Sequence, residues 1–154
     1  YPILFTEWAL RPDSGGSGKN RGGCGAIYEI ELLEENADAF LFGERGKFGP
    51  PGINGGETGA LNKFTYLSDS NDKKSPPMVS KMVDLHLNKG QRIRLETPGG
   101  GGYGEAFERD PNLVADDARL GYVTADSALR DYNCVVSEDG VLNVKKTNLL
   151  RRKC

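Results

Sequence analysis

Three glycine-rich segments carry residue types that could bind phosphate. Residues 15–20 (GGSGKN) place a lysine after glycines, as in the P-loop, where backbone N–H groups and the lysine hold phosphates. A P-loop also needs a glycine five residues before the second glycine, where this chain has Asp13. The residue after the lysine must carry a hydroxyl that binds Mg²⁺, and here it is Asn20. The segment therefore does not predict a P-loop.

A second pattern, GxGxxG, occurs within residues 99–104 (GGGGYG) and follows a predicted strand. In dinucleotide-binding folds a helix begins at the last glycine of this pattern. Here the first helix signal is Asp110-Pro111, several residues later. We therefore do not expect these glycines to bind a dinucleotide.

The third glycine-rich segment is the long loop 44–56 (ERGKFGPPGINGG), which holds two cations and an aromatic residue. Long loops without secondary structure are usually either functional or disordered. Two interpretations stay open: a flexible surface loop, or a docking segment that a partner orders. In the second interpretation Phe48 is the anchor.

Side chains for nucleophilic or metal catalysis are scarce. His86 is the single histidine, and alternation within residues 83–87 (VDLHL) places it on an exposed strand face. The chain has neither CxxC nor HxxxH spacing, so a metal site is not expected, and nothing local brings His86 to a serine. Asp13, Glu44 and Asp84 could pair as carboxylates, but their spacing selects none of them. We predict no catalytic residue and no metal ligand in this chain alone.

The elements that position these loops are mostly strands. Segments with period-two alternation or short apolar runs predict six of them, at residues 2–10, 26–32, 37–42, 64–67, 83–87 and 91–96. The short connections predict two hairpins, one joining the second strand to the third and one joining the fifth to the sixth.

Helix signals begin only after residue 105. Asp110 is a predicted N-cap before a proline, and Gly121 a predicted C-terminal stop. Thr124 can cap a second helix over 125–131, and Thr147 a terminal one. A further hairpin is predicted around Glu138-Asp139-Gly140. The predicted fold is mainly β with a small α/β tail: a barrel-like or sandwich-like β core over 1–104, with long Gly-rich loops, and short C-terminal helices over 105–154 of the same domain.

Composition excludes several classes of protein. The chain has 154 residues, which predicts one domain, and 21 are glycine, about twice the usual ~7%. Twenty Lys and Arg against 22 Asp and Glu give a net charge of −2, which does not favour nucleic-acid binding. No apolar run approaches the ~18 residues of a membrane helix, so no membrane partner is expected. Three separated cysteines, Cys24, Cys134 and Cys154, indicate reduced thiols and a cytoplasmic protein.

Taken in order, these segments resemble the C-terminal region of hydantoinase B-type proteins. This group includes N-methylhydantoinase B subunits, the matching half of 5-oxoprolinase, and the large subunits of acetone and acetophenone carboxylases. The resemblance extends from Tyr1 to about Val136, nearly the whole chain. The segments that carry it are Tyr1-Pro2, residues 10–25 (LRPDSGGSGKNRGGCG), Lys47-Phe48, Ser80-Lys81, residues 97–104 (TPGGGGYG) and Arg109-Asp110-Pro111.

The chain departs from this family in two ways. Family members usually continue the Gly-Tyr-Gly with Asp-Pro, where this chain has Glu105-Ala106, which argues against a direct role for position 105. The chain also corresponds to only part of a much larger subunit, so it is either a fragment or a separately encoded small subunit. The tail ends without truncating a predicted element, which favours the small subunit, as in enzymes similar to acetophenone carboxylase.

The resemblance implies a role within an ATP-dependent complex. We expect a small subunit of an acetophenone carboxylase-like ketone carboxylase that completes the hydantoinase B-like module. The implied partners are a large hydantoinase B-like subunit and hydantoinase A-like subunits that bind ATP and Mg. Two alternatives stay open: part of an ATP-dependent cyclic-amide hydrolase of the N-methylhydantoinase or 5-oxoprolinase type, or a purely structural docking subunit.

The same resemblance suggests which side chains meet the substrate or an interface. The arginine guanidinium binds phosphate or carboxylate through two parallel hydrogen bonds, which suits such a position. For each polar candidate the alternative is a structural role, with Asp13 capping a turn and the arginines binding loop carbonyls. The candidates are Arg11, Asp13, Arg21, Lys47 and Phe48.

Overall fold

A computed structural model describes residues 1–152, in which six strands precede three short α-helices. The predicted β-rich core with a small helical tail is confirmed. Cys154, one of the three predicted thiols, lies outside the described residues. The strands are β1 Ile3–Leu10, β2 Ala26–Leu32, β3 Asn36–Phe42, β4 Lys63–Tyr66, β5 Lys81–Asn88 and β6 Arg92–Glu96. A 3₁₀ turn, Ala106–Glu108, precedes helices α1 Pro111–Arg119, α2 Ala125–Tyr132 and α3 Val144–Arg151.

The strands form two antiparallel sheets. One has four strands in the order β1-β2-β6-β4, and the other pairs β3 with β5. Among residues 1–152 neither sheet closes on itself, so the barrel alternative was wrong. The predicted β2–β3 and β5–β6 hairpins were also wrong, because each of those connections passes from one sheet to the other.

The two sheets are halves of one bent ribbon. Residues 26–42 run antiparallel to residues 81–96 along their whole length, from the pair Ile27 and Glu96 to the pair Phe42 and Lys81. Hydrogen bonds continue around the bend, where the Gly90 N–H donates to the Leu32 carbonyl at 2.8 Å. Bending the ribbon brings the apolar sides of both sheets together, which a flat ribbon of this width could not bury.

The β core lies inside this bend. Leu32, Phe64, Leu85 and Leu87 are its buried members, drawn from both sheets. His86 lies between two of these leucines and is exposed, so the prediction for it is confirmed. Its Nδ1 is 2.9 Å from Asp38 on the neighbouring strand.

The tail has a second core of its own. Asp110 caps α1 and Thr124 caps α2, each through its side chain, as predicted. The predicted cap Thr147 was wrong: Asn143 caps α3, while Thr147 is buried and accepts a hydrogen bond from the Val135 N–H. The hairpin around residues 138–140 is confirmed, with a bridge between positions 136 and 142.

The helices of the described chain are all too short to cross a membrane.

Candidate functional site at the glycine loops

The three glycine-rich segments pack directly against one another. The Gly16 N–H donates to the Gly100 carbonyl at 2.8 Å, and the Glu57 N–H donates to the Ser17 carbonyl at 2.7 Å. The Gly102 N–H in turn donates to Glu57 at 2.9 Å. We call this unit, built from residues 13–25, 49–60 and 97–104, the glycine-loop assembly.

Glycine is required in this assembly because the backbones approach without room for a side chain. A Cβ on Gly16 would lie 2.7 Å from the Gly102 nitrogen, and one on Gly99 would overlap the Ser14 carbonyl. The N–H groups of Gly16, Gly100, Gly102 and others already donate within the chain. These donors are therefore not available to cradle a phosphate.

Arg11 fastens the assembly to the sheet. Its guanidinium donates to the carbonyls of Leu61 at 2.7 Å and Thr97 at 3.0 Å, and its Nε lies 3.3 Å from Glu96. Both Arg11 and Glu96 are largely buried side chains. The structure thus places Arg11 in contacts with loop carbonyls, the structural role weighed for it from the sequence.

Asp13 joins the first glycine loop to the tail. Its carboxylate accepts hydrogen bonds from the Thr124 N–H and hydroxyl, both at 2.8 Å. Asp13 has a φ of 57°, a left-handed conformation that Asp tolerates better than most residues. The residue is exposed and also borders a cleft described below.

Arg21 reaches into the tail and forms a buried ion triad. Its Nε lies 3.1 Å from Asp117, and the same carboxylate is 2.8 Å from Arg109. All three side chains are at most 14% exposed. The Arg21 guanidinium also lies 5.2 Å from the ring centre of Tyr122, a cation–π contact.

Tyr132 lies in the same region and is 2% exposed. Its hydroxyl has no hydrogen-bond partner among the described residues. Burial raises the pKa of Tyr132 to about 12, although the nearby cations Arg109 and Arg21 oppose the shift. A tyrosine held neutral in this way acts in packing rather than in proton transfer.

Lys47 and Phe48 lie together at the edge of a cleft, apart from the buried triad. They border a cleft of about 400 Å³, which we call the cationic cleft, together with Arg45, Lys81 and the opposing Val79. Lys81 pairs with Glu44 at 3.1 Å, but Arg45 and Lys47 form no ion pair within residues 1–152. Phe48 is 78% exposed. This cleft can bind a carboxylate or phosphate beside an apolar surface.

Residues in or next to the cationic cleft carry conformational strain and an unpaired polar atom. Arg45 and Ser80 both have positive φ, 63° and 69°, although neither is glycine. The Ser80 hydroxyl is buried without a partner among the described residues and faces Gly46, where a Cβ would overlap it. Such features concentrate at functional sites. Arg45 is recognisable from the sequence as a loop cation, but its position at the same cleft as Lys81, which is distant along the chain, is not.

A second cleft, of about 500 Å³, lies where two glycine loops meet α2. We call it the acidic cleft, because Asp13, Glu57, Glu105 and Asp131 border it with one cation, Arg130. Arg130 is already paired with Asp131 at 2.7 Å. Sequence reasoning missed Glu57 and Asp131 because no local pattern links them.

No group of three or more His, Cys, Asp or Glu side chains placed to hold a metal ion occurs within residues 1–152. Cys24 and Cys134 are free thiols, one half-buried and one buried. The candidates therefore divide: Arg11, Asp13 and Arg21 have partners within the chain, whereas Lys47 and Phe48 face outward.

Comparison with known sequences gives matches over most of the chain. The sequence model described as Hydantoinase B/oxoprolinase matches residues 1–106. An uncharacterized protein of Methanocaldococcus jannaschii is 37% identical over 154 residues, covering 98% of this chain and 26% of that protein. The caprolactamase subunit beta of Pseudomonas jessenii is 32% identical over 152 residues, covering 98% of this chain and 26% of the subunit.

Two solved structures share the fold. The ATP-dependent caprolactamase of Pseudomonas jessenii superposes with a TM-score of 0.82 at 27% identity, over 99% of this chain and 26% of that one. Nucleotide-free acetone carboxylase superposes with a TM-score of 0.74 at 22% identity, over 99% of this chain and 24% of that one. This chain thus spans about a quarter of the length of these relatives.

Proposed function

The chain belongs to the hydantoinase B/oxoprolinase family, and we propose that it acts within an ATP-dependent enzyme that hydrolyses cyclic amides. The observation that carries this proposal is the likeness to caprolactamase, which holds in sequence and in fold across nearly the whole chain. In this proposal the chain is the C-terminal part of the hydantoinase B-type half. Residues 1–104 and 105–154 act as one domain, which the Arg21–Asp117 contact supports.

Ketone carboxylation is the second candidate function, because the acetone carboxylase chain shares the fold. The narrower expectation of an acetophenone carboxylase-like small subunit stays a prediction within this second candidate. In both cases we place ATP and Mg on hydantoinase A-like partner subunits. This chain completes the hydantoinase B-like module beside its large partner.

Within that module the glycine-loop assembly is a rigid support for the side chains at its rim. Arg11, Asp13 and Arg21 hold the assembly to the sheet and the helices, so their role in this proposal is positioning. Lys47 and Phe48 are the candidates for contact with substrate or partner. Activation of an amide by ATP passes through anionic phosphorylated groups, and Lys47 beside Arg45 supplies the opposite charge.

The function is tested on the assembly purified through an affinity tag on this chain. We expect ATP-dependent hydrolysis of a lactam, 5-oxoproline or hydantoin, with ADP formed only when the amide is present. Bicarbonate-dependent carboxylation of acetone or acetophenone instead would select the second candidate. ATP hydrolysis or carboxylation by this chain alone would contradict the accessory role.

Lys47→Ala tests the cationic cleft. Loss of one charged hydrogen bond to an anionic group costs about 1.5–3 kcal/mol, so we expect kcat/KM of the assembly to fall about 10-fold to 100-fold. Lys89→Ala is the matched control, since Lys89 is also an exposed lysine and lies at the bend of the ribbon. Full activity and intact assembly in Lys47→Ala would remove this residue from the site.

A further inference from the structure

One face of the four-stranded sheet is apolar from edge to edge. The strand register places the side chains of neighbouring strands in rows across this face. The rows consist of Ile3, Phe5, Trp8 and Leu10 on β1, Ala26, Tyr28, Ile30 and Leu32 on β2, Ile93 and Leu95 on β6, and Phe64 and Tyr66 on β4. We call this surface the apolar face.

A β-bulge keeps β1 in phase with this face. The apolar residues of β1 are spaced by two, three and two positions, which strict alternation would send to opposite sides. The register shift between Phe5 and Glu7 absorbs the extra residue, so Phe5 and Trp8 lie on the same side. Glu7 lies on the other side, where it pairs with Arg94. The sequence therefore maintains an apolar surface across an irregularity.

Only half of the apolar face is covered. The β3–β5 sheet packs over β4 and β6, where Phe64 is 5% exposed. At the other edge Phe5 is 50% exposed and Trp8 is 70% exposed. Exposure thus rises across the sheet from β4 to β1, and the bare half is the one centred on Phe5, Trp8 and Tyr28.

The aromatic side chains of the bare half are already packed against each other. Phe5 and Trp8 meet edge to face with centroids 5.2 Å apart, and Trp8 stacks on Tyr28 at 5.5 Å. A preordered aromatic group loses little side-chain entropy when another surface covers it. Beside it, the outer edge of β1 is open, because β1 pairs with β2 alone among the described strands. An open edge accepts a further strand.

The accessible surface area of the chain is larger than that of a compact monomer, as expected if another part of the protein covers this face. The chain exposes 9245 Å², whereas a compact monomer of 16.7 kDa exposes about 7,600 Å². The excess is about 1,600 Å², roughly twice the ~800 Å² that one partner contributes to a stable interface. The relatives that match this chain over nearly its whole length are about four times longer.

We infer that the bare half of the apolar face is the docking surface for the part of the hydantoinase B-type fold that lies outside residues 1–154. The docking element is an apolar strand or helix face that covers Trp8 and Phe5 and meets the open edge of β1. This inference rests on the proposed function only in that it needs the chain to work inside a larger hydantoinase B-type assembly.

Hydroxyl-radical footprinting of the purified wild-type assembly tests the surface directly. Trp8 is the single tryptophan among residues 1–154, so oxidised tryptophan in peptides from this segment is assigned to it. We expect oxidation of Trp8 and Phe5 to be at least 10-fold slower in the assembly than in the urea-unfolded protein. Phe42, 79% exposed on the outward side of β3, is the internal reference. The footprint gives the same answer whether the cover lies on this polypeptide or on another.

The double variant Phe5→Ser, Trp8→Ser gives the complementary test. We expect the covering part to dissociate or become protease-sensitive, with at least a 10-fold loss of intact assembly, while Phe42→Ser leaves assembly unchanged. The inference would be overturned if Trp8 and Phe42 showed the same oxidation rate in the assembly, each expressed relative to its own rate in the urea-unfolded protein. Protection that depends on protein concentration and doubles the mass would also overturn it, because the occupant is then a second copy. Protected Trp8 in an assembly without amide or ketone activity would instead overturn the proposed function alone.

Discussion

The glycine-loop assembly and the helical tail are each stabilised internally, but by different kinds of contact. In the glycine-loop assembly, backbone meets backbone through hydrogen bonds such as Gly16 to Gly100, with a few side-chain hydrogen bonds such as the one that the Ser14 hydroxyl accepts from the Gly25 N–H. In the tail, small and medium side chains pack around Val114, Ala128 and Tyr132. Close backbone approach leaves no free volume that a side chain could occupy, whereas a side-chain core can repack.

This difference separates the region that provides structural support from the side chains that are candidates for binding. Many N–H groups of the glycine-loop assembly donate to its own carbonyls, so in our proposal it is a support, and binding falls to neighbouring side chains such as Lys47. The tail is joined to that support through several contacts, among them those of Asp13 with Thr124 and the triad of Arg21, Asp117 and Arg109. Substitutions in the support, at the joint and in the tail are therefore expected to have unequal effects.

The largest effect is expected in the support. In Gly99→Ala the new methyl group overlaps the Ser14 carbonyl, and no rotamer can relieve a clash between backbone and Cβ. We expect a loss of about 4 kcal/mol or more in the free energy of unfolding, measured by urea denaturation of the purified complex that contains this chain. The control is Gly23→Ala, where a Cβ meets nothing within 4 Å, and it should stay within about 0.5 kcal/mol. Equal stability of the two variants would mean that the loops are not packed as described.

The sequence predicted the strands well and their pairing poorly. Alternation located β2 and β5 closely, because burial of one side of a strand leaves a local pattern. Pairing between Ile27 and Glu96 leaves no such pattern, so the short polar connections alone wrongly predict hairpins. The prediction of Thr147 as a cap fails for a similar reason: a threonine that accepts a tertiary hydrogen bond and one that caps a helix have the same sequence signature.

The candidate clefts were visible in the sequence only where their residues are local. Lys47 and Phe48 stood out because cations and an aromatic in a long loop are visible locally, and the structure places both at one cleft. The acidic cleft was not predictable, since Glu57 and Asp131 meet only after the loops pack on α2. Glycine clustering showed three loops but not that they bind one another, because a close approach between backbones has no residue-type signal beyond glycine itself.

The joint between the two regions should give the next largest effect. Asp117→Ala leaves the guanidinium groups of Arg21 and Arg109 buried without their shared carboxylate. Removing one member of a buried ion group costs about 3 kcal/mol or more, and we expect that loss in the free energy of unfolding. Asp116→Ala is the matched control, because Asp116 is an exposed neighbour on the same helix that pairs with exposed Arg119. Its effect should stay below about 0.5 kcal/mol, and a similar loss in both variants would contradict the buried triad.

The smallest effect is expected in the tail, where a single hydroxyl can be removed from a packed core. At pH 7, Tyr132→Phe deletes a buried hydroxyl without a partner, so the free energy of unfolding should be unchanged or rise by up to about 1 kcal/mol. Thermal or urea unfolding measures this directly. A clear loss of stability at pH 7 would mean that the hydroxyl has a partner after all.

Alkaline pH separates the two tyrosine states. Burial raises the pKa of Tyr132 from 10 to about 12, so the folded chain keeps a proton that the unfolded chain releases. The stability that this tyrosine contributes is therefore complete below pH 10 and is lost as the pH rises from 10 through 12, by about 2 kcal/mol at pH 12. Other tyrosines and lysines titrate there too, so the quantity to measure is the difference between wild type and Tyr132→Phe. That difference should grow in favour of the variant above pH 10. A constant difference up to pH 12 would show that Tyr132 reaches water, and the tail would then lack the closed side-chain core that distinguishes it from the glycine loops.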